Sequence, residues 1–499
     1  MNELLPVAVI GTSLLAAIVI FLLPDAQQRV RSTLNIGAAL VKIALVAWMT
    51  IGIYQQELFE TRFTILPGID FVLRADSLSM LFAGLSSLLW LFTTLYAIGY
   101  LEGSPHRSRF FGFFSLCVAS TMGISLAGNL FTFLIFFEML TLSTYPLVVH
   151  RGTEASLRAG RTYLRYTLTG GAVLLLGVAL LYGYAGPAVG EFAETGTLRE
   201  VAGLDTSVLI AIFAVLILGV GVKAAFVPFH GWLPVAMVAP APVSALLHAV
   251  AVVKAGAFGI IRIVYNVYGI EFSAQLGVLL PLAVLAAVTI IWGSLQALRQ
   301  VELKKRLAFS TVSQVSYIAL GVALFGPIGS IGGLVHLLHQ GIMKVTLFFA
   351  AGNYAETLGI HRIDELDGVG KRMPGTSLAF TVGALGMIGL PPTAGFISKW
   401  YLGIGALEAG MAWALGVLVL SSALNAAYFL PILYRLWFKP VRGAWPDEKI
   451  LAGRFETDPW LLLPTLATMV FTIAAGLLAA HAWSPLSWAI LVSVREYLP

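Results

Sequence analysis

Glu138 stands in the middle of an apolar run, Phe-Leu-Ile-Phe-Phe-Glu138-Met-Leu, with nothing polar close in sequence to pair with it. Lys223, Lys254, Lys344 and Lys399 lie in four other apolar runs. His248 precedes Lys254 by six residues, and His336 and His339 precede Lys344 by eight and five. An ionisable group at the centre of a bilayer costs from about 2.5 to above 10 kcal/mol, so it persists mainly where it meets a partner or water. Burial disfavours a lysine's charged form, and a nearby carboxylate restores it. A buried lysine beside a switchable carboxylate is therefore a proton site whose occupancy can be controlled. The chemistry that such a set supports is the movement of protons or other small cations.

The elements that must carry these groups are membrane helices. Of the 499 residues, 59% are hydrophobic and only 11% charged, whereas soluble domains run near a quarter charged. An apolar stretch of about 20 residues spans the hydrocarbon as a helix. The punctuation predicts about fourteen such spans, at 4–23, 34–54, 77–100, 110–127, 129–149, 163–185, 207–227, 241–261, 276–298, 308–325, 330–352, 376–400, 410–434 and 460–482. The first lacks a basic leader and reads as a transmembrane helix, not a signal peptide. We group the spans as helices 1–3 (1–100), a first repeat of helices 4–8 (110–265), a second repeat of helices 9–13 (276–435), and helix 14 with a short tail (460–499).

Cations test this partition. Twenty of the 30 Lys and Arg fall in alternate connections, five in the others, and five inside spans. That alternation is expected of an even number of spans with both termini on the outer face of the plasma (inner) membrane.

Two spans read as broken. Span 7 ends in Lys223-Ala-Ala-Phe-Val-Pro228-Phe-His230-Gly-Trp-Leu-Pro234, and span 12 contains Gly389-Leu-Pro391-Pro392-Thr-Ala-Gly395 ahead of Lys399. Proline removes a backbone donor and clashes with the preceding turn. Non-helical backbone at membrane depth is tolerated only inside protein or along a wet cavity. Two breaks, five spans apart and each close to a lysine, fit an all-α membrane protein built from two inverted repeats with discontinuous helices 7 and 12.

Plainer readings stand beside the functional one. Glu138 could be locked to a lysine for structure alone. Lys42 reads as snorkelling or pairing locally, His230 as a cap at the break, and Arg262 and Arg435 as anchors at span ends. His248 could be a satisfied core histidine, and some of His336, His339 and Lys344, which share one helix, could simply bond neighbours. The phenylalanine-rich stretch around Phe131 and Phe137 reads as packing. A single cysteine, Cys117, leaves no cluster for iron–sulfur or zinc. No metal site, nucleotide loop or nucleic-acid surface is legible, so no cofactor is expected, nor any redox or hydrolytic site of the chain's own.

The run Lys223-Ala-Ala-Phe-Val-Pro-Phe-His-Gly-Trp-Leu-Pro-Val-Ala, followed by Ala241-Pro-Val-Ser-Ala-Leu-Leu-His248-Ala-Val-Ala-Val-Val-Lys254-Ala-Gly, resembles the core signature of the antiporter-like subunits. These occur in respiratory complex I and in Mrp-type multisubunit cation/proton antiporters. Glu302-Leu-Lys-Lys-Arg-Leu-Ala-Phe-Ser-Thr-Val-Ser-Gln, His336 to Gly352 and Gly389 to Leu402 are similar to the family's spans 10, 11 and 12. The resemblance implies that Glu138 and Lys223 form a gating pair, and that Lys254, His336 with Lys344, and Lys399 continue a hydrated axis. It implies partners too: other membrane subunits, homologous ones among them, with H⁺ and Na⁺ or K⁺ as cargo. Two positions depart from the pattern. Gln340 stands where the family often has His before the span-11 lysine, with His339 beside it, and Glu302 replaces a common Asp. The short stretch after span 14 makes the chain similar to the shorter family members, closest to the D-type Mrp subunit. The alternatives are a proton-pumping subunit of a complex I-like oxidoreductase or hydrogenase, the membrane subunit of an inorganic-carbon uptake complex, a solute transporter, or a purely structural subunit.

Overall fold

The computed structural model describes residues 2–497 except 102, 199, 200, 202, 442 and 450–454. The end of the predicted tail, residues 498 and 499, lies outside the described residues. Among the described residues the chain is mostly helical, with one β-hairpin. Among the described residues, twelve helices are long and apolar enough to cross a membrane. They include α1 (Leu5–Leu22), α2 (Gln28–Tyr54), α3 (Ser77–Tyr100), α4 (Arg107–Leu126), α5 (Leu130–Val148), α6 (Glu154–Ala185), α7 (Thr206–Lys223), α8 (Ala241–Tyr268) and α9 (Leu279–Arg299). α10 (Leu303–Ala323), carrying Lys304, Lys305 and Arg306 in its first turn, follows. Then come α11 (Pro327–Leu358), the two halves of span 12, α12 (Pro374–Ile388) and α13 (Ala394–Glu408), and finally α14 (Ala412–Phe438) and α15 (Pro459–Leu477). With α10 and the split span counted, the crossings number the expected fourteen.

Polar side chains start the helices where the sequence turns. Asp76, Asn129 and Asp205 accept from the backbone of Ser79, Thr132 and Ser207 at 2.7, 2.8 and 2.7 Å, capping α3, α5 and α7. The repeat is visible in the order of elements. α4 to α8 make five crossings beginning at one face, and α9 to α14 make five beginning at the other, with the fourth crossing of each broken. In the first unit α7 stops at Lys223, and the crossing resumes as a short apolar helix, Phe229–Val238. In the second, α12 and α13 are separated by 389–393.

Burial ranks the helices. α8 is wholly buried and α11 is 94% buried across its apolar window, while α2, α6 and α14 are only 33% buried. The interior therefore forms around α8 and α11, the helices that carry most of the candidate groups. α8 is also irregular: it makes π-helical turns at Leu246–Val250 and Ile263–Tyr268, with a kink at Ala251 between them. Turns of that kind leave carbonyls out of the helical ladder and are common at functional sites.

Two features were not expected. An antiparallel hairpin joins α2 to α3: β1 (Phe59–Leu66) pairs with β2 (Ile69–Ala75), Phe59 opposite Ala75 and Thr64 opposite Asp70. Pro67-Gly68 supplies its turn, with Gly68 at φ +79. After α15 the tail folds as α16 (Pro485–Tyr497). Hairpin, N-terminus and α16 share one face, here the terminus face: Thr61 donates to the Glu3 carbonyl, and Arg495 donates to Ser77 and to the Ile53 carbonyl.

Candidate functional site

Glu138 lies on α5 against α6. One carboxylate oxygen, Oε1, is buried without a protein hydrogen-bond partner. Gly171 of α6 makes the room, because a Cβ there would overlap the Glu138 carboxylate. Lys223, 1% exposed, is the last residue of α7. Its ammonium donates to the Phe137 carbonyl and lies 3.4 Å from the centre of the Phe137 ring. It is thus held by the residue next to Glu138 and is an electrostatic neighbour of the carboxylate without bonding to it.

The row passes from α7 to α8 at a glycine. A Cβ on Gly256 would collide with the backbone of Lys223 and Ala224, so α8 approaches the end of α7 closely only because position 256 has no side chain. Two residues earlier, Lys254 is fully buried and its ammonium has no protein partner. His248, in the π-turn, leaves both ring nitrogens unbonded and packs 4.6 Å from the Phe348 ring.

Lys254 has His336 and Lys344 of α11 as electrostatic neighbours, and His336 in turn has Lys399. Lys344 donates to the Leu307 carbonyl at 3.1 Å and to Ser310 on α10. His336 bonds Ser398 of α13 through Nδ1 at 2.8 Å, stacks on Tyr317, and keeps Nε2 free of protein partners. His339 and Gln340 are buried with none of their side-chain nitrogens or oxygens bonded. Gln314 and the Tyr317 hydroxyl, which the sequence reading passed over, share that property.

Lys399 closes the row. It lies on α13 but folds back over the break, donating to the carbonyls of Met387 and Ile388 at 2.9 and 2.8 Å and to Ser422 at 2.9 Å. Those carbonyls end α12, where the helix dipole favours a cation. Gly389, at φ +96, turns the chain there, and any Cβ would strike the Lys399 side chain.

The prolines divide. Pro228 lies in the span-7 break, and Pro391 and Pro392 lie in the span-12 break. Pro234 is instead buried inside the short helix beyond its break. Two other readings need correction. Lys42 does not snorkel: it is fully buried, donates to Ser13 at 2.5 Å, and lies 4.5 Å from the Trp90 ring. Arg262 is no surface anchor: its side chain is buried and holds Asp76 through two bonds of 2.6 and 3.0 Å. His230 accepts from Trp292 at 3.3 Å, away from the row. Among the described residues no cluster of His, Cys, Asp and Glu is arranged to hold a metal.

The arrangement is a file of proton-accepting groups on five helices, most of them with an atom left unbonded by protein. Buried polar groups ordinarily find a partner, protein or water.

Residues 127–425 match the family model described as "NADH:quinone oxidoreductase/Mrp antiporter, TM", and 67–111 match that of "NADH-Ubiquinone oxidoreductase (complex I), chain 5 N-terminus". The chain is 37% identical over 410 residues to the N subunit of the NADH-quinone oxidoreductase of Desulforudis audaxviator, covering 79% of this chain and 78% of that one. It is 30% identical over 438 residues to the A/B subunit of a probable K⁺/H⁺ antiporter of Rhizobium meliloti, covering 87% of this chain but 43% of that longer one. Its fold overlays a chain of the Mrp complex of Dietzia sp. with a TM-score of 0.87 at 27% identity, covering 100% of this chain and 98% of that one.

Proposed function

The chain belongs to the NADH:quinone oxidoreductase/Mrp antiporter transmembrane family, and on that premise we propose that it is the proton-translocating membrane subunit of a multisubunit cation/proton antiporter. Protons pass along Glu138, Lys223, Lys254, His336 with Lys344, and Lys399, with His248 and His339 as side relays. The observation that carries this reading is the file itself: four lysines and a glutamate follow one another through α5, α7, α8, α11 and α13, and the Lys254 ammonium has no protein hydrogen-bond partner.

The physics of transfer follows from two contrasts. Lys223 is held by a carbonyl and a ring instead of by Glu138, so a change of charge or position at Glu138 alters its field without breaking a bond. Lys399 is held as a cation by the end of α12. On losing its proton it loses those charge-assisted bonds and is free to turn towards His336. Water fills the gaps between groups that no protein atom satisfies. Sites this close titrate as a set.

In this reading both termini face outward, as the cation distribution favours, homologous subunits flank the chain, and Na⁺ or K⁺ is the countertransported ion. A second reading has its own support in the 37% identity to the N subunit of an oxidoreductase. There the same file pumps protons for a redox or hydrogenase complex. Vesicles carrying the whole complex, with and without this subunit, test the proposal. A pH gradient that an added Na⁺ or K⁺ pulse collapses only when the subunit is present supports antiport. A gradient that responds to electron donor and ignores the cation pulse supports the second reading, and no gradient change of either kind refutes both.

A further inference from the structure

Outside the file, the buried carboxyl of Glu496 has one oxygen without a protein hydrogen bond. Glu496 of α16 is 5% exposed. Its Oε1 accepts from Asn266 at 2.9 Å, and its Oε2 has no protein hydrogen-bond partner. Asn266 also accepts from Arg262 at 2.8 Å, and Arg262 is locked to Asp76 and Ser79. A cavity of about 550 Å³ opens at the terminus face, lined by Arg495, the chain neighbour of Glu496, and by Arg74, Asp76 and Glu194 among others.

Tyr265 and Tyr497, electrostatic neighbours of Glu496, belong to a file of hydroxyls. The Tyr497 hydroxyl bonds Ser330 of α11 at 2.9 Å, and the Tyr265 hydroxyl of α8 donates to the same Ser330 at 2.6 Å. A hydroxyl both donates and accepts, so such a chain can carry a proton. Ser330 and His336 are six residues apart on one helix, about 9 Å. Glu496 is thus an electrostatic neighbour both of Asp76 and Glu194, which line the cavity, and of the tyrosines whose hydroxyls lead to α11.

We propose that Glu496 is a proton-exchange site where the buried file meets the terminus face, taking protons from the water of the cavity and exchanging them with the Tyr497–Ser330–Tyr265 hydroxyls. The inference rests on the proton-translocating reading above. The step is a proton transfer alone: the carboxylate oxygen gains a proton from hydronium in the cavity, leaving water, and passes it to one end of the hydroxyl chain while the other end releases one towards the file, with no electron transferred.

The surroundings suit that role. Burial pushes the Glu496 carboxyl up to about 7, with Asn266 and Arg262 pulling against it and Asp76 and Glu194 adding to it. The groups that face it are therefore Asn266 and Arg262 from α8, Asp76 from the start of α3, Glu194 from the 186–205 connection, and Tyr265 and Tyr497. A group that titrates near neutrality exchanges protons readily in both directions. The part of Arg262 is to hold Asp76 and Asn266 in place.

The test uses the assembled complex in vesicles, with the pH on the terminus face varied and the other face buffered. Wild type is expected to change rate with a midpoint near 7. Glu496→Gln is expected to flatten that dependence and slow transport about tenfold, equivalent to ~1.4 kcal/mol in the barrier, and Glu496→Asp to restore much of it. An unchanged rate and pH profile in Glu496→Gln overturns the inference. Should that variant fail to assemble, Tyr497→Phe and Ser330→Ala decide, since they cut the hydroxyl chain and leave the carboxyl. Slower transport in both supports the inference, and wild-type rates in both overturn it. Lys254→Met measured alongside separates the two levels. A dead Lys254→Met with an unaffected Glu496→Gln removes only Glu496, whereas a fully active Lys254→Met removes the reading on which it rests.

Discussion

Lys399 donates to the carbonyl of Ile388, the last residue of α12, across the break that separates it from α13 at 2.8 Å. A cation from the second half-helix thus closes the exposed end of the first. That contact links the proposed proton site to a joint in the backbone.

The joint gives a sharp prediction. Lys399→Met removes the cation from the α12 terminus, a loss of up to ~2 kcal/mol where such a charge is partly buried, and should lower the melting temperature of the complex and stop transport. Lys399→Arg keeps the charge but cannot release a proton at working pH. It is expected to retain assembly and stability and still fail to transport. Thermal melting beside vesicle transport checks both, and an active Lys399→Arg would remove Lys399 from the relay.

Gly171 offers a test of Glu138 without touching it. In Gly171→Ala the new methyl occupies the space of the carboxylate, which must swing away. Transport is expected to fall roughly three- to tenfold, equivalent to about 0.7–1.4 kcal/mol, with assembly intact. Adding Glu138→Asp, whose shorter side chain clears the methyl, should recover part of the loss. No effect of Gly171→Ala on rate would show that the position of Glu138 does not matter.

Gly256 is the packing joint between the two halves of the file. Gly256→Ala puts a methyl against the backbone of Ala224 and forces α7 and α8 apart. Overpacking of this sort costs about 1–3 kcal/mol. The expected result is a lower melting temperature with a proportionally larger loss of transport. A rate that falls no further than the amount of assembled complex would show that the α7–α8 approach serves stability alone.

The hairpin should be acid-sensitive in a defined direction. Hydrogen bonding by Arg62, with Arg74 nearby and partial burial opposing, holds the Glu191 carboxyl below its ordinary range. Because the folded-state value is depressed, the unfolded chain binds more protons in acid. The stabilisation is therefore present above the ordinary carboxylate range and is lost as pH falls through the lowered value. Proteolysis at the Pro67-Gly68 turn is expected to begin at higher pH in Arg62→Ala than in wild type. Identical profiles would mean that the ion pairs do not hold the hairpin down.

Much of the arrangement was legible because ionisable residues stand as exceptions in a membrane chain. Glu138, Lys254 and His336 stand out in apolar runs, and Pro228 and Pro391 mark the breaks beside Lys223 and Lys399. What sequence hides is pairing over distance. Arg262 and Asp76 are 186 residues apart, so the arginine looked like an anchor at a span end until the fold buried it. The partners of Lys42 were hidden for the same reason, since Ser13 and Trp90 come from other helices. The hairpin did leave a trace, in the polar–apolar alternation of Phe59 to Ile65 and the Pro67-Gly68 turn, but it is too short to be seen between long spans. The π-turns of α8 leave none, because the same residue types build an ordinary helix.

Lys254→Met tests the central claim most directly. The ammonium has no protein hydrogen bond to lose, and methionine fills a similar volume without an unsatisfied buried charge. If Lys254 is present to carry protons, the variant complex should melt at the wild-type temperature or above it while cation-driven proton movement in vesicles falls to the level of the subunit deletion. Wild-type transport in that variant would contradict the account.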